Sequence, residues 1–345
     1  MNTATQKQMQ ALQPRDNFEY YTGDIYWNNF EIVQLHINQA ITGDKLNNWG
    51  RYLRDKFDHF ETALFVNCGN GWVERELFTE GLIRRTIGFD ISDALINTAR
   101  MEGAKIGMPF DYMIGDANHI DLSGTKVDLV VNHGAMHHVA YIDRLTRQLC
   151  KTAAKGGVYV AFDYTGPHRN QYPWTAWSSM LELNASLPER FRVTLTYPHL
   201  KTMLSTDPTE AIHSELQVEV LRRYFDLQQF VPLGGALAYQ ILYKNKFLYE
   251  ERQTPAGAET LQRIMNADQA FLDANPESSL FSFWVATPKV NIFDEKQALA
   301  LWEGEENMRE DAATKNGGRY YKESPLELSY DEIAELRYRL SIRSS

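Results

Sequence analysis

The chain predicts an α/β fold in which helices cover both faces of a doubly wound, mostly parallel sheet. Three observations carry that expectation. Short apolar runs of strand character recur at Ala63–Val66, Thr86–Asp90, Phe110–Ile114, Val127–Val131 and Gly157–Asp163. Helical stretches separate several of them, at Trp72–Thr79, Ser92–Gly103 and Tyr141–Lys155. A Gly69-Asn70-Gly71 turn sits where the first strand hands over to the first of these helices. Such alternation is what a parallel sheet buried on both faces requires.

Residues 1 to about 17 are polar and expected to fray. From Phe18 to Phe60 the pattern turns helical, with Ile32, Leu35, His36, Gln39 and Ala40 on a mixed face and a break at Thr42-Gly43-Asp44. We read residues 1–60 as a helical cap ahead of the first strand. Ser92 is placed to cap the second helix of the sheet region. After the fifth strand the alternation stops. Residues 166–223 are aromatic and broken by Pro167, Pro173, Pro188, Pro198 and Pro208. A connection this long is uncommon unless it is functional, so it is expected to lie over the active site as a lid. Strand character returns at Ala236–Tyr243 and Phe281–Ala286, with a helical stretch at Thr260–Leu272 between them. Residues 61–290 thus form the main domain. A charged extension, 291–345, reads as helical at Glu295–Trp302 and Tyr330–Leu340. No internal repeat or low-complexity block appears.

Length and composition narrow the function. With 345 residues the chain is long enough for a full core. It carries 45 acidic against 35 basic residues, a net charge of -10, which argues against a dedicated nucleic-acid binder. No apolar run approaches the roughly 18 residues of a membrane span, and the polar start lacks a signal-peptide core. Two cysteines, Cys68 and Cys150, give no disulfide framework, so a reducing cytoplasm is the expected compartment.

The chemistry-bearing residues cluster at the predicted strand ends. Gly69 and Gly71 let the backbone come close to a ligand, and Asp90 follows roughly 20 residues later, where a carboxylate can hold a ribose diol. A dinucleotide fingerprint wants a small residue three positions after Gly71, but Glu74 stands there and Glu76 is close behind. Carboxylates in a first helical turn suit the helix dipole yet repel a pyrophosphate. The pattern therefore favours a nucleoside without phosphates. Asp116, after the third strand, is of the type that accepts from an adenine amino group.

Asn132-His133-Gly134-Ala135-Met136-His137-His138 follows the fourth strand and admits three readings. The histidines pack a pocket wall, or His137 or His138 acts as a general base, or they bind metal. Metal is disfavoured, because neither a cysteine set nor a nearby general-base glutamate accompanies them; none is expected. Asp163, Tyr164, His168 and Arg169 leave the fifth strand. They are candidates to face a substrate, with Arg169 either clamping an anion or bracing its loop.

Taken in order, Cys68-Gly69-Asn70-Gly71, Gly88-Phe89-Asp90-Ile91, Gly115-Asp116-Ala117 and Asn132 through His138 resemble the successive motifs of class I S-adenosylmethionine-dependent methyltransferases. The resemblance extends to flanking segments of one bacterial subgroup thought to act on small molecules or sugars. These include Tyr164 through Arg169, Asp207 through Ile212 and Gly234-Gly235, so it spans roughly residues 30–290. It implies a Rossmann-like, seven-stranded sheet whose last strand is antiparallel. It also implies S-adenosyl-L-methionine as cofactor, held by Asn67, Cys68, Gly69, Asn70, Gly71, Asp90, Ile91, Asp116, Ala117, Asn132 and His133. The substrate would meet Asp163, Tyr164 and Arg169, with His138, His137 or His168 as base. Two positions depart from the pattern: Phe65 replaces the usual acidic residue of strand one, and Asn67 the first glycine of the loop. Asn67 or Glu74 would have to supply the missing grip on the methionine end. The expected reaction is methyl transfer to a small-molecule acceptor, at oxygen in preference to nitrogen or carbon. An inert cofactor-binding protein and an NAD-dependent dehydrogenase are the rival classes.

Overall fold

The computed structural model describes residues 25–289. The predicted N-terminal segment before residue 25 and the two helical stretches predicted beyond residue 291 lie outside the described residues.

Two helices lead into the sheet, α1 (Glu31–Thr42) and α2 (Trp49–Phe57). Helix α1 ends at Gly43, whose φ of 80° lies in the left-handed region that glycine enters at least cost. Helix α2 begins at Asn48, whose side chain accepts the Arg51 N–H. The buried stripe of α1 is Val33, Ile37 and Ile41, not the predicted mixed face. Aliphatic residues at i, i+4 and i+8 outcompete a stripe carrying His36 and Gln39, whose polar atoms would need partners if buried.

Seven strands follow: β1 (Phe60–Val66), β2 (Ile83–Asp90), β3 (Phe110–Ile114), β4 (Val127–His133), β5 (Ala153–Tyr164), β6 (Phe225–Gly234) and β7 (Phe281–Pro288). They form one sheet in the order β3-β2-β1-β4-β5-β7-β6. Strands β1 to β5 pair in parallel, whereas β7 runs antiparallel to both neighbours. Helices α3 (Trp72–Thr79), α4 (Asp93–Lys105) and α5 (Ile142–Thr152) make the early crossovers. Ser92 caps α4 through the Leu95 N–H, as predicted.

The strand pleat sorts the core. Ala63 and Phe65 of β1 join the cluster that contains Val33, Ile37 and Leu53 from α1 and α2. Leu64 and Val66 join the cluster built with Ile142, Leu145 and Leu149 of α5. Helices therefore cover both faces, and the strand order reverses between β1 and β4. Ligands of open α/β sheets bind at the carboxyl ends of the strands flanking such a reversal.

The segment between β5 and β6 is more helical than a loop. It contains α6 (Trp174–Ser186), α7 (Leu200–Thr206) and α8 (Gln217–Tyr224). Trp177 is buried and stacks on Tyr172 at 6.0 Å, while Trp174 is exposed.

One predicted strand is wrong. Ala236–Tyr243 contains the short helix α9 (Ala238–Leu242), and the sixth strand is Phe225–Gly234. A short apolar run reads alike in a buried strand and a buried helix. Buried Asp268 decides the matter by accepting the N–H groups of Gly235, Leu237 and Ala238, which fixes the start of α9. Strand β6 was hidden by Pro232, but it lies at the sheet edge, where a proline costs no essential ladder bond. Helices α10 (Lys246–Glu250) and α11 (Pro255–Ala274) complete the chain before β7, and α11 contains the predicted Thr260–Leu272 stretch. Among the described residues no helix is long and apolar enough to cross a membrane.

Candidate functional site

A cleft of about 300 Å³ opens at the carboxyl ends of β1 to β4. The loops after all four strands reach it: Asn67 to Asn70, Asp90 to Ser92, Asp116 to Asn118, and His133 with Gly134. Of the residues expected to hold the cofactor, all but Gly71 and Asn132 line it. Gly71 instead starts α3 at a φ of 71°, and a Cβ there would lie 2.8 Å from the Tyr112 hydroxyl oxygen, so glycine is required for packing as well as for the turn. Asn132 is fully buried behind the cleft wall.

Asp90 ties two of these loops together. One carboxylate oxygen accepts the Gly69 N–H at 2.9 Å and the other accepts the Ser92 N–H at 2.9 Å. Only 8% of the residue is exposed, and that part borders the cleft. Asn67 adopts a φ of 44°, a conformation Asn tolerates better than most residues, and its amide reaches the Ala135 carbonyl at 3.4 Å. On the opposite wall Asp116 accepts from both the backbone and the side-chain amide of Asn118 at 2.9 Å. Asn118 in turn accepts the N–H groups of Ala140 and Tyr141, which joins the β3 loop to the start of α5.

Glu74 is the anomaly of the cleft. It lines the cavity, is 1% exposed, and its Oε1 has no hydrogen-bond partner. Burial pushes its carboxyl up from the ordinary 4.5 to about 8, against the lowering pull of its own backbone hydrogen bond and of Arg75. The same burial, with Glu74 and Asp90 beside it, raises the Cys68 thiol well above its usual range, so Cys68 is no nucleophile here. His133 closes the floor between aromatic rings, stacked on Phe162 at 5.0 Å with Trp72 edge-on at 5.1 Å. Burial lowers its pKa to about 4, so this imidazole is neutral.

At one end of the cleft stands a second polar group. His138 lines the cavity together with Asp207 and Thr209 from the β5–β6 segment. His137 Nδ1 lies 2.5 Å from Asp163 Oδ1. Asp163 is fully buried and also accepts from Asn132 Nδ2, the Met136 N–H and the Tyr164 N–H. Burial alone would lower the His137 pKa, but the Asp163 carboxylate, with Glu210 and Asp207 farther off, outweighs it and raises the ring to about 9. His138 goes the other way: burial and then the positive charge of His137 hold it below its ordinary value. Glu210 Oε2 stands 4.0 Å from His137 Nε2 and 3.7 Å from His138 Nε2. One donor atom from each of these three residues falls within 4.8 Å of the others, a spacing that can hold a metal ion.

The remaining candidates lie elsewhere. His168 is buried against His213, with ring centroids 6.3 Å apart, and does not line the cleft. Arg169 is fully buried and donates to the Glu210 carbonyl at 3.0 Å, while its own N–H donates to the Ala211 carbonyl at 2.7 Å. It braces the 207–212 turn instead of facing the cleft. Asp163 and Tyr164 are likewise buried behind the wall, with Asp163 hydrogen-bonded to His137. Sequence reasoning did not single out Asp207, Thr209 or Glu210 as site residues. They lie about 70 positions from the histidines, and no local spacing links them.

Residues 64–161 match the family described as a methyltransferase domain. A ubiquinone biosynthesis O-methyltransferase from Brucella anthropi is 28% identical over 95 residues, which is 28% of this chain and 38% of that protein. The chain thus matches well under half the length of this curated relative. An O-methyltransferase from a trans-AT PKS multienzyme of Brevibacillus brevis, solved with S-adenosyl-L-homocysteine, superposes with a TM-score of 0.41 at 12% identity, covering 75% of this chain and 72% of that one. An S-adenosylmethionine-dependent methyltransferase from Mesorhizobium loti gives 0.39 at 18% identity, covering 66% and 90%.

Proposed function

We propose that the chain, whose residues 64–161 match a methyltransferase domain, transfers a methyl group from S-adenosyl-L-methionine to a small-molecule acceptor, at oxygen. The observation that carries this reading is the pair of buried carboxyls on the cleft, Asp90 beneath the glycine turn and Glu74 in the first turn of α3. A pyrophosphate entering there would meet both. A nucleoside with a cationic tail would meet a ribose acceptor in Asp90 and a counter-charge in Glu74. Glu74 then takes the role that Phe65 cannot play. Asp116 and Ile91 suit the adenine, and the Gly69 turn suits the methionine chain.

In this reading the sulfonium methyl is presented toward the His138 end of the cleft. The acceptor oxygen attacks the methyl carbon, the carbon–sulfur bond breaks, and the electron pair stays on sulfur as a neutral thioether. The hydroxyl proton leaves at the end of the cleft where His138 stands. His137, held by Asp163, lies behind it, and His168 is out of reach. The protein's work is in-line positioning plus handling of that proton.

Incubating the full chain with methyl-labelled cofactor and a panel of phenolic, sugar and carboxylate acceptors tests the reading. Label should appear in an acceptor, with stoichiometric S-adenosyl-L-homocysteine. Tight cofactor binding with no transfer to any acceptor would instead support an inert binding protein, the reading motivated by Phe65 and Asn67.

A further inference from the structure

We propose that His137, His138 and Glu210 form a binding site for one divalent transition-metal ion of the zinc class, at the acceptor end of the cleft. The proposal rests on where the donor atoms point. His137 Nδ1 is occupied by Asp163 at 2.5 Å, which puts the ring proton on that nitrogen and leaves Nε2 toward Glu210. The tautomer of His138 is fixed by a chain of donors. Thr209 Oγ1 donates its only hydrogen to Asp207 Oδ1 at 2.8 Å. Toward His138 Nδ1, 3.2 Å away, Thr209 can therefore only accept, so Nδ1 carries the hydrogen and Nε2 the lone pair. Once the ion displaces the proton that the His137 cation holds on Nε2, two imidazole lone pairs and a carboxylate oxygen converge.

The spacing fits an ion. Donors about 2.1 Å from zinc at the tetrahedral angle lie about 3.4 Å apart. The two imidazole–carboxylate separations are 3.7 and 4.0 Å, and the donor atoms of the two histidines lie within 4.8 Å of each other, so the three side chains must draw together by about half an ångström or more to close on an ion. Direct hydrogen bonds are excluded at these distances. A histidine ligand whose other nitrogen donates to a carboxylate or hydroxyl is the arrangement that orients metal-binding imidazoles, and both histidines have it. Two nitrogens and one oxygen select zinc or a similar ion over magnesium or calcium, which take oxygen donors.

The turn that carries Glu210 is held in place. Asp207 Oδ1 accepts the Thr209 and Glu210 N–H groups, Arg169 holds the Glu210 carbonyl, and the Ile212 N–H donates to the His137 carbonyl. Because His138 borders the cleft, a fourth position on the ion faces the acceptor. A hydroxyl bound there would be acidified, which supplies the proton loss that methyl transfer to oxygen requires. Sequence spacing alone disfavoured a metal, because the third ligand comes from a segment far along the chain.

The test uses chelator-stripped full-length protein and zinc alone, without cofactor, so that it is independent of the methyl-transfer reading. Calorimetric titration should give one zinc per chain at micromolar affinity or tighter. Cobalt(II) should give a visible spectrum of nitrogen and oxygen ligation with no thiolate charge-transfer band. Glu210→Gln should abolish stoichiometric binding, and Thr209→Val, which keeps the shape but loses the acceptor for His138, should weaken it by about tenfold. Substoichiometric zinc, or one zinc bound equally well by both variants, overturns the proposal. Unchanged S-adenosyl-L-homocysteine binding in the same samples would then confine the failure to the metal site.

Discussion

Replacing Glu74 by glutamine should stabilise the free protein and weaken its hold on the cofactor, two effects of opposite sign from one change. The unfolded chain gives up the Glu74 proton near 4.5, while the folded chain keeps it up to about 8. Between those values the native state binds more protons than the unfolded state, so stability falls as pH rises through that window and is flat above it. At pH 7 the deficit is about 3 kcal/mol, from the roughly 2.5 pH units already crossed at 1.36 kcal/mol each. Glutamine carries no such deficit. The groups facing Glu74 are Cys68, Asp90, Arg75 and Tyr112, and the cysteine and tyrosine stay neutral across the window. Chemical denaturation at pH 5 and pH 8 should therefore show the glutamine variant pulling ahead of the parent at the higher pH. Calorimetry with S-adenosyl-L-homocysteine should show the opposite ranking. Loss of a charged hydrogen-bond partner costs about 1.5–3 kcal/mol, roughly ten- to hundredfold in Kd. For the parent at pH 7, binding should release close to one proton, read from titrations in buffers of different ionisation enthalpy. A variant that binds as tightly as the parent, with the same pH-dependent stability, refutes this role for Glu74.

Two further expectations separate site from scaffold. His138→Ala should bind S-adenosyl-L-homocysteine normally yet lose about 10²–10⁴-fold in kcat, whereas His168→Ala should lower the melting temperature and leave kcat per folded molecule near the parent's. Arg169→Ala removes a fully buried side chain that braces the 207–212 turn. It should destabilise the fold by about 2–4 kcal/mol by denaturant titration.

The sheet and the loops that line the cleft were legible because they rest on local pattern. Five strands and three helices announced themselves by length, spacing and the Gly69–Gly71 turn, and Asp90 and Asp116 fell at strand ends that topology alone brings to one edge. The errors arose where tertiary contacts decide. Asp268, far along the chain from Gly235, turns an apolar run into helix α9, and an edge position lets Pro232 sit inside β6. The histidine end of the cleft was less legible still. His137 and His138 stood out, but Glu210, Thr209 and Asp207 reach them only through the fold. Arg169, for which the sequence allows either an anion clamp or a loop brace, holds the backbone of that same turn.

The most direct test of the whole account is a pair of calorimetric titrations of the full-length protein, one with S-adenosyl-L-homocysteine and one with NADH. The account predicts saturable binding of one thioether per chain and no heat of binding from the phosphorylated dinucleotide. Saturable NADH binding, with the thioether inert, contradicts it.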